Sequence, residues 1–125
     1  MATERVADIH RIGGRAVDNL HLSDAEKNLN PPGFSVLKAE TPAEAAQQIL
    51  QAFPNATQLH EKAKIVGSTT EELIRAAGFQ LFPCPTRRLP NHCRITHPDG
   101  VAGFSDENLG RLSCIFTDVT RGEND

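Results

Sequence analysis

The chain reads as an α+β domain, a small and mostly antiparallel β-sheet with four or five short helices packed on it. Three observations predict this class. Helix-capping residues recur along the chain at Ser23, Thr41, Ser68 and Ser105. Short apolar runs bounded by Gly and Pro fall between them without the regular strand–helix alternation that a parallel sheet requires. Finally, 125 residues suffice for one modest core, since a chain of this length buries roughly two-thirds of its unfolded surface. A single domain over 1–125 is expected, with loose ends at about 1–8 and 121–125.

Taken in order, Ile9–Ile12 is a strand candidate before the Gly13-Gly14 turn. Ser23 with Glu26 forms a capping box for a short helix. A strand over 34–38 follows the turn Pro31-Pro32-Gly33. Thr41 with Glu44 is a second capping box, and Pro42 suits the first helical position, where its missing N–H is harmless. The helix over 42–52 carries Ala43, Ala46, Ile49, Leu50 and Phe53 as an apolar stripe and ends at Pro54. A shorter helix is expected over 57–65. Ser68 with Glu71 reads as a third capping box for a helix over 69–77, with Leu73, Ile74 and Ala77 inward and Gly78 as the stop. Strands follow over 79–83 and 93–97. The last helix comes after Ser105, with Leu109, Leu112 and Phe116 on one face, and a fifth strand is expected over 115–119.

Composition excludes several functions. Thirteen Lys and Arg against sixteen Asp and Glu leave a net charge of −3, so nucleic acid is not gripped by bulk charge. With no Trp and no Tyr, only six Phe can stack on a base or sugar. No apolar run is long enough to span a bilayer, and the first residues do not have the pattern of a signal peptide. Three cysteines without a C-x-x-C spacing point away from a disulfide framework and towards a reduced, cytoplasmic site of action. The same spacing argues against a metal centre, because His92 and Cys93 are adjacent and cannot easily both reach one ion from a strand.

Polar chemistry concentrates between Thr86 and His97, where three arginines, two histidines, Asn91, Cys93 and two threonines crowd into a Pro-rich segment with no acid before Asp99. In an extended 92–97, alternation sends His92, Arg94 and Thr96 to one face and Cys93, Ile95 and His97 to the other. The second set is the more buriable, so the first is turned towards a cleft. An imidazole beside guanidinium groups suits a phosphate-bearing substrate, with Arg forking the phosphate and His moving a proton. The competing reading is a solvated polar loop. Cys93 reads as a small buried hydrophobe, not an activated thiol. Arg11, inside the first strand, needs an anionic partner if it is buried, and Gly13-Gly14 beside it permits close approach of a ligand. On an edge strand the same Arg would face water. Ser35, beside Phe34, can hydrogen-bond a ribose or orient a neighbour, or else sit on a solvated face.

Set in order, His10-Arg11-Ile12, then Gly33-Phe34-Ser35-Val36 running into the 42–52 helix, then Asn91-His92-Cys93-Arg94-Ile95, resemble the ADP-ribosyltransferase fold. The likeness is to small bacterial toxin domains with that fold, including a type VI secretion effector group, and spans 9–97. The resemblance implies NAD as substrate and no metal. It implies Arg11 on an NAD phosphate or ribose and Ser35 bracing the nicotinamide half; Gly13, Arg87 and Arg88, read from the residues themselves, are expected to help bind the cofactor. His92, with Arg94 and Arg11 as the catalytic group, stands where the family usually offers a glutamate, because 79–98 contains none. It further implies transfer or cleavage of ADP-ribose, a protein or nucleic-acid acceptor, a cognate antitoxin or immunity protein, and delivery by a secretion system. Two other readings remain open. A metal-free ribonuclease would use His92 and His97 with Arg87, Arg88 and Arg94. A non-enzymatic accessory or immunity-type protein would dock a partner through the Arg-rich loop.

Overall fold

A computed structural model describes residues 7–120; the loose ends expected at about 1–8 and 121–125 lie, apart from Ala7 and Asp8, outside them. Six strands, β1 (Ile9–Ile12), β2 (Gly33–Lys38), β3 (Ile65–Thr69), β4 (Gln80–Pro83), β5 (His92–Thr96) and β6 (Thr117–Thr120), form one sheet in the order β4-β5-β2-β1-β3-β6. Every neighbouring pair is antiparallel. Five helices accompany them: α1 (Asp24–Lys27), α2 (Pro42–Ala52), α3 (Thr57–Lys62), α4 (Glu71–Ala76) and α5 (Asp106–Ser113). The class is α+β.

Both faces of the sheet are covered. On one face Ile9, Phe34, Val36, Cys93 and Ile95 pack with Ile74 of α4, Leu109 and Leu112 of α5, and Phe79, Phe104 and Phe116. Phe104 meets Phe34 and Phe79 edge-on, at centroid distances of 6.1 and 5.4 Å, the geometry that aromatic quadrupoles favour. On the other face Ile12, Leu37 and Val66 pack with Ala45, Ala46 and Ile49 of α2, together with Ala63 and Leu89. Period-2 alternation thus serves two apolar layers, and the functional side chains lie where the second layer is incomplete.

Helix starts follow the capping signals. The Ser23 hydroxyl accepts from Glu26 N at 3.2 Å while Ser23 N donates to the Glu26 carboxylate at 2.8 Å, a reciprocal box for α1. Thr41 accepts from Glu44 N at 3.1 Å and Ser105 from Asn108 N at 3.2 Å. On α2 the buried stripe is Ala45, Ala46 and Ile49; Ala43, expected to face inward, is exposed.

The largest departure lies at 57–70. The helix expected to reach 65 stops at Lys62, and Ile65–Thr69 is a strand between β1 and β6. Ser68 is therefore not a cap. Its hydroxyl is buried against the His10 ring, and Thr70 caps α4 by accepting from Leu73 N at 3.2 Å. Three consecutive hydroxyl residues compete for one cap, and the strand's backbone pairing takes the first two. At the C-terminal end, α5 stops at Ser113 and β6 starts at Thr117, two residues later than expected, with Phe116 buried between them. Cys84, Cys93 and Cys114 are free thiols; burial of Cys93 pushes its pKa up, with Cys84 contributing less. Among the described residues no helix is long and apolar enough to cross a membrane.

Candidate functional site

The site begins with a break in the sheet. β1 pairs with β2 only at Ile9–Lys38 and His10–Leu37, although β1 continues to Ile12 beside β3 and β2 reaches back to Gly33 beside β5. Backbone groups facing such an opening need other partners. The Ser35 carbonyl receives Arg11 Nη1 at 2.8 Å. The Ile12 and Gly14 carbonyls receive Asn19 Nδ2 at 3.1 and 2.7 Å, and the Asn19 carbonyl in turn accepts from Arg11 Nε and Nη2 at 3.0 and 2.7 Å.

Arg11 is thus half-buried, held by two carbonyl oxygens, with its guanidinium carbon 4.7 Å from the centre of the Phe34 ring. Those bonds use three of the five N–H donors of a guanidinium, leaving one on each terminal nitrogen. No carboxylate bonds it among the described residues. Burial lowers its pKa, and the more distant charge of Glu26 opposes that shift. A desolvated cation without a paired anion is costly, and a bound anion would relieve that cost.

Arg11 opens into a cavity of about 320 Å³, at the lower end of the size range of small-molecule sites. Its apolar wall is Ile12, Leu37, Ile49, Phe53, Leu59 and Leu89, supplied by the second core and by α2 and α3. Its polar groups are Arg11, Ser35, Lys62, Thr86, His92 and His10; among the described residues no Asp or Glu lines it. The Lys62 stem lies across the turn after β1. A Cβ on Gly13 would come within 2.6 Å of Lys62 Cε, and Gly13 itself has φ +98°. Glycine here satisfies a left-handed backbone and leaves room for the lysine. Burial lowers the Lys62 pKa, the Arg11 charge lowers it further, and Glu26 opposes both.

In the same cavity, His92 Nε2 lies 2.9 Å from Ser35 Oγ. The two residues are diagonal neighbours, since Ser35 registers with Arg94 and Leu37 with His92. On the far side of the ring, Nδ1 is 3.0 Å from the Cys84 carbonyl oxygen and 3.2 Å from its sulfur. That carbonyl can only accept, so a hydrogen on Nδ1 would satisfy it, and in that tautomer Nε2 has a lone pair for the Ser35 hydroxyl. The Pro-rich loop behind it is fixed by the Leu89 carbonyl, which accepts from both Thr86 N and His92 N at 3.0 Å.

The structure therefore brings Arg11, Ser35 and His92 to one cavity and leaves other expected residues outside it. Arg94 donates to the Pro31 carbonyl at 2.6 Å and stacks on Phe82, so it braces the loop before β2. Arg88 lies 5.5 Å from the Phe53 ring centre, behind the cavity wall, and Arg87 is exposed and lines none of the cavity. Gly13 acts through the Lys62 stem and is not itself part of the lining. His97 packs edge-on against Phe79 at 4.9 Å and against Gly103, on the opposite side of the sheet from His92. Thr96, expected to face a cleft, is buried.

Sequence reasoning missed Lys62, which reads as an ordinary solvated lysine at a helix end. Its only signal, the glycine that receives its stem, lies 49 positions away and acquires meaning only in the fold. His10 was noted only as the neighbour of Arg11, and the structure makes it a core residue, 0% exposed and bonded at both nitrogens. Among the described residues no group of three or more His, Cys, Asp or Glu is arranged to hold a metal ion. Comparison with family models, with curated proteins and with solved structures returned no match to this chain.

Proposed function

We propose that the protein binds NAD in the cavity between β1 and β2 and breaks its nicotinamide–ribose bond, passing ADP-ribose to an acceptor or to water. One observation carries the reading. A guanidinium with no carboxylate partner among the described residues, and with two N–H groups that none of them engages, opens into the same cavity as a hydrogen-bonded serine–histidine pair. Arg11, with Lys62 beside it, offers a paired positive site for the diphosphate. Ile49, Phe53, Leu59 and Leu89 offer an apolar wall for a flat ring. Ser35 and His92 face the intervening ribose, and His92 takes the proton-handling role given to a carboxylate in the family that the sequence resembles.

This reading keeps the expectation of a toxin-like enzyme, for which an antitoxin or immunity protein would be the natural partner. The ribonuclease alternative asks His92 and His97 to converge, and they lie on opposite faces of the sheet.

The test is calorimetric titration with NAD, followed by mass spectrometry for released nicotinamide. Wild-type protein is expected to bind and to release nicotinamide. Arg11→Ala removes a charge-assisted contact and is expected to weaken binding by about 10- to 150-fold, the equivalent of about 1.5–3 kcal/mol. Absence of binding at millimolar NAD would overturn the proposal.

A further inference from the structure

If NAD occupies the cavity, as proposed above, its lining presents two hydroxyls, and only one is free to react. Thr86 Oγ1 is committed to its own loop, accepting from Leu89 N at 3.0 Å and lying 3.5 Å from the Leu89 carbonyl. Ser35 Oγ has one partner, His92 Nε2 at 2.9 Å. With a hydrogen on Nδ1 facing the Cys84 carbonyl, the ring accepts from the Ser35 hydroxyl at Nε2. A hydroxyl donating to an imidazole that is anchored at its other nitrogen has the arrangement of an activated nucleophile.

Ser35 is also tied to the anion-binding group. Its carbonyl accepts from Arg11 Nη1, so the residue that positions the guanidinium is the one that presents the hydroxyl. A phosphate on the free N–H groups of Arg11 would set the adjoining ribose beside Oγ. Among the described residues no carboxylate lines the cavity to stabilise positive charge developing at the anomeric carbon. Capture by a nucleophile replaces one difficult step with two easier ones and needs no such carboxylate.

The geometry points to Ser35 as a covalent nucleophile that takes ADP-ribose onto its own Oγ, with His92 as its base and the Cys84 carbonyl as the group that positions the base. The Oγ–C1′ bond forms as the C1′–N bond breaks. The electron pair of the breaking bond leaves with nicotinamide, which departs neutral, and the serine proton passes to His92 Nε2. The product is an O-linked ADP-ribosyl serine. After His92 has released its proton, the same imidazole can direct water to the anomeric carbon.

The experiment is intact-protein mass spectrometry on the full chain incubated with NAD and quenched in acid at a series of times, with peptide mapping of any adduct. An increment of one ADP-ribose at Ser35 is expected. Ser35→Ala is expected to abolish the adduct, and circular dichroism checks its fold. His92→Ala is expected to slow adduct formation by about 100-fold or more, the scale of general base catalysis. Nicotinamide release with no adduct at any quench time, or an adduct mapped elsewhere, would overturn Ser35 as nucleophile and leave the NAD reading standing. If neither nicotinamide release nor NAD binding occurs, both fall.

Discussion

His10 is fully buried, with Nε2 donating to the Ala39 carbonyl at 2.9 Å and Nδ1 accepting from the Ser68 hydroxyl at 2.7 Å. The ring is therefore held neutral. Burial lowers its pKa from 6.5, opposed by the Ala39 hydrogen bond and by the charges of Asp8 and Glu44. The unfolded chain then binds this proton more readily than the folded one, so the stability contributed by neutral His10 is present above pH 6.5 and is lost as pH falls through the lower folded value. Urea denaturation at a series of pH values should show stability declining below about pH 6.5. His10→Phe should flatten that decline. At neutral pH it should cost about 1–3 kcal/mol, because it leaves Ser68 and the Ala39 carbonyl without their partner. An undiminished pH slope in the variant would assign the acid sensitivity to other groups. At this scale Arg11, Ser35 and His92 were legible from sequence, because each is a polar residue inside an apolar strand pattern and such a residue needs a reason. Lys62 was not, because a lysine at a helix end needs none.

Helices were more legible than strands for a physical reason. A capping box is written within four residues, and the reciprocal bonds of Ser23 and Glu26 follow from it directly. A strand's partner is written elsewhere in the chain. The segment Ile65–Thr69 is short, carries a glycine and ends in hydroxyl residues, so nothing local marks it as a strand; its pairing with β1 and β6 does. The clearest helix also shapes the site, since α2 supplies Ile49 to the cavity and hands on to Phe53. Its start rests on the Thr41 hydroxyl, which accepts from Glu44 N. Thr41→Ala should cost about 1 kcal/mol in chemical denaturation, and Thr41→Ser should recover most of it. Equal losses in both variants would mean that the threonine methyl, and not the cap, matters.

Across the whole molecule the sheet lies between two apolar layers, and the unpaired stretch of β1 and β2 joins them. Phe34 lies in the layer away from the cavity, fully buried and edge-on to Phe104, yet its ring lies under the Arg11 guanidinium that opens into the cavity. The net charge of −3 averages over this arrangement, because acids such as Glu26, Glu44, Glu71 and Asp106 sit in first helical turns, while among the described residues Arg11 and Lys62 line the cavity and no carboxylate does. Core and site are therefore coupled through one aromatic ring, and substitution can separate the two roles. Phe34→Leu roughly conserves apolar volume and should cost less than about 1.5 kcal/mol of stability. It removes the ring face beneath the guanidinium, a contact worth about 0.5–2 kcal/mol. If Arg11 binds a phosphate of NAD while stacked on that ring, NAD affinity should fall by several-fold in calorimetry, with only a small shift in the urea midpoint. Phe34→Ala should instead unfold the domain substantially, at about 3–5 kcal/mol, by opening a void beside Phe104. Unchanged affinity in Phe34→Leu would show that the two carbonyl oxygens alone hold Arg11 in its binding position, and would confine Phe34 to the core.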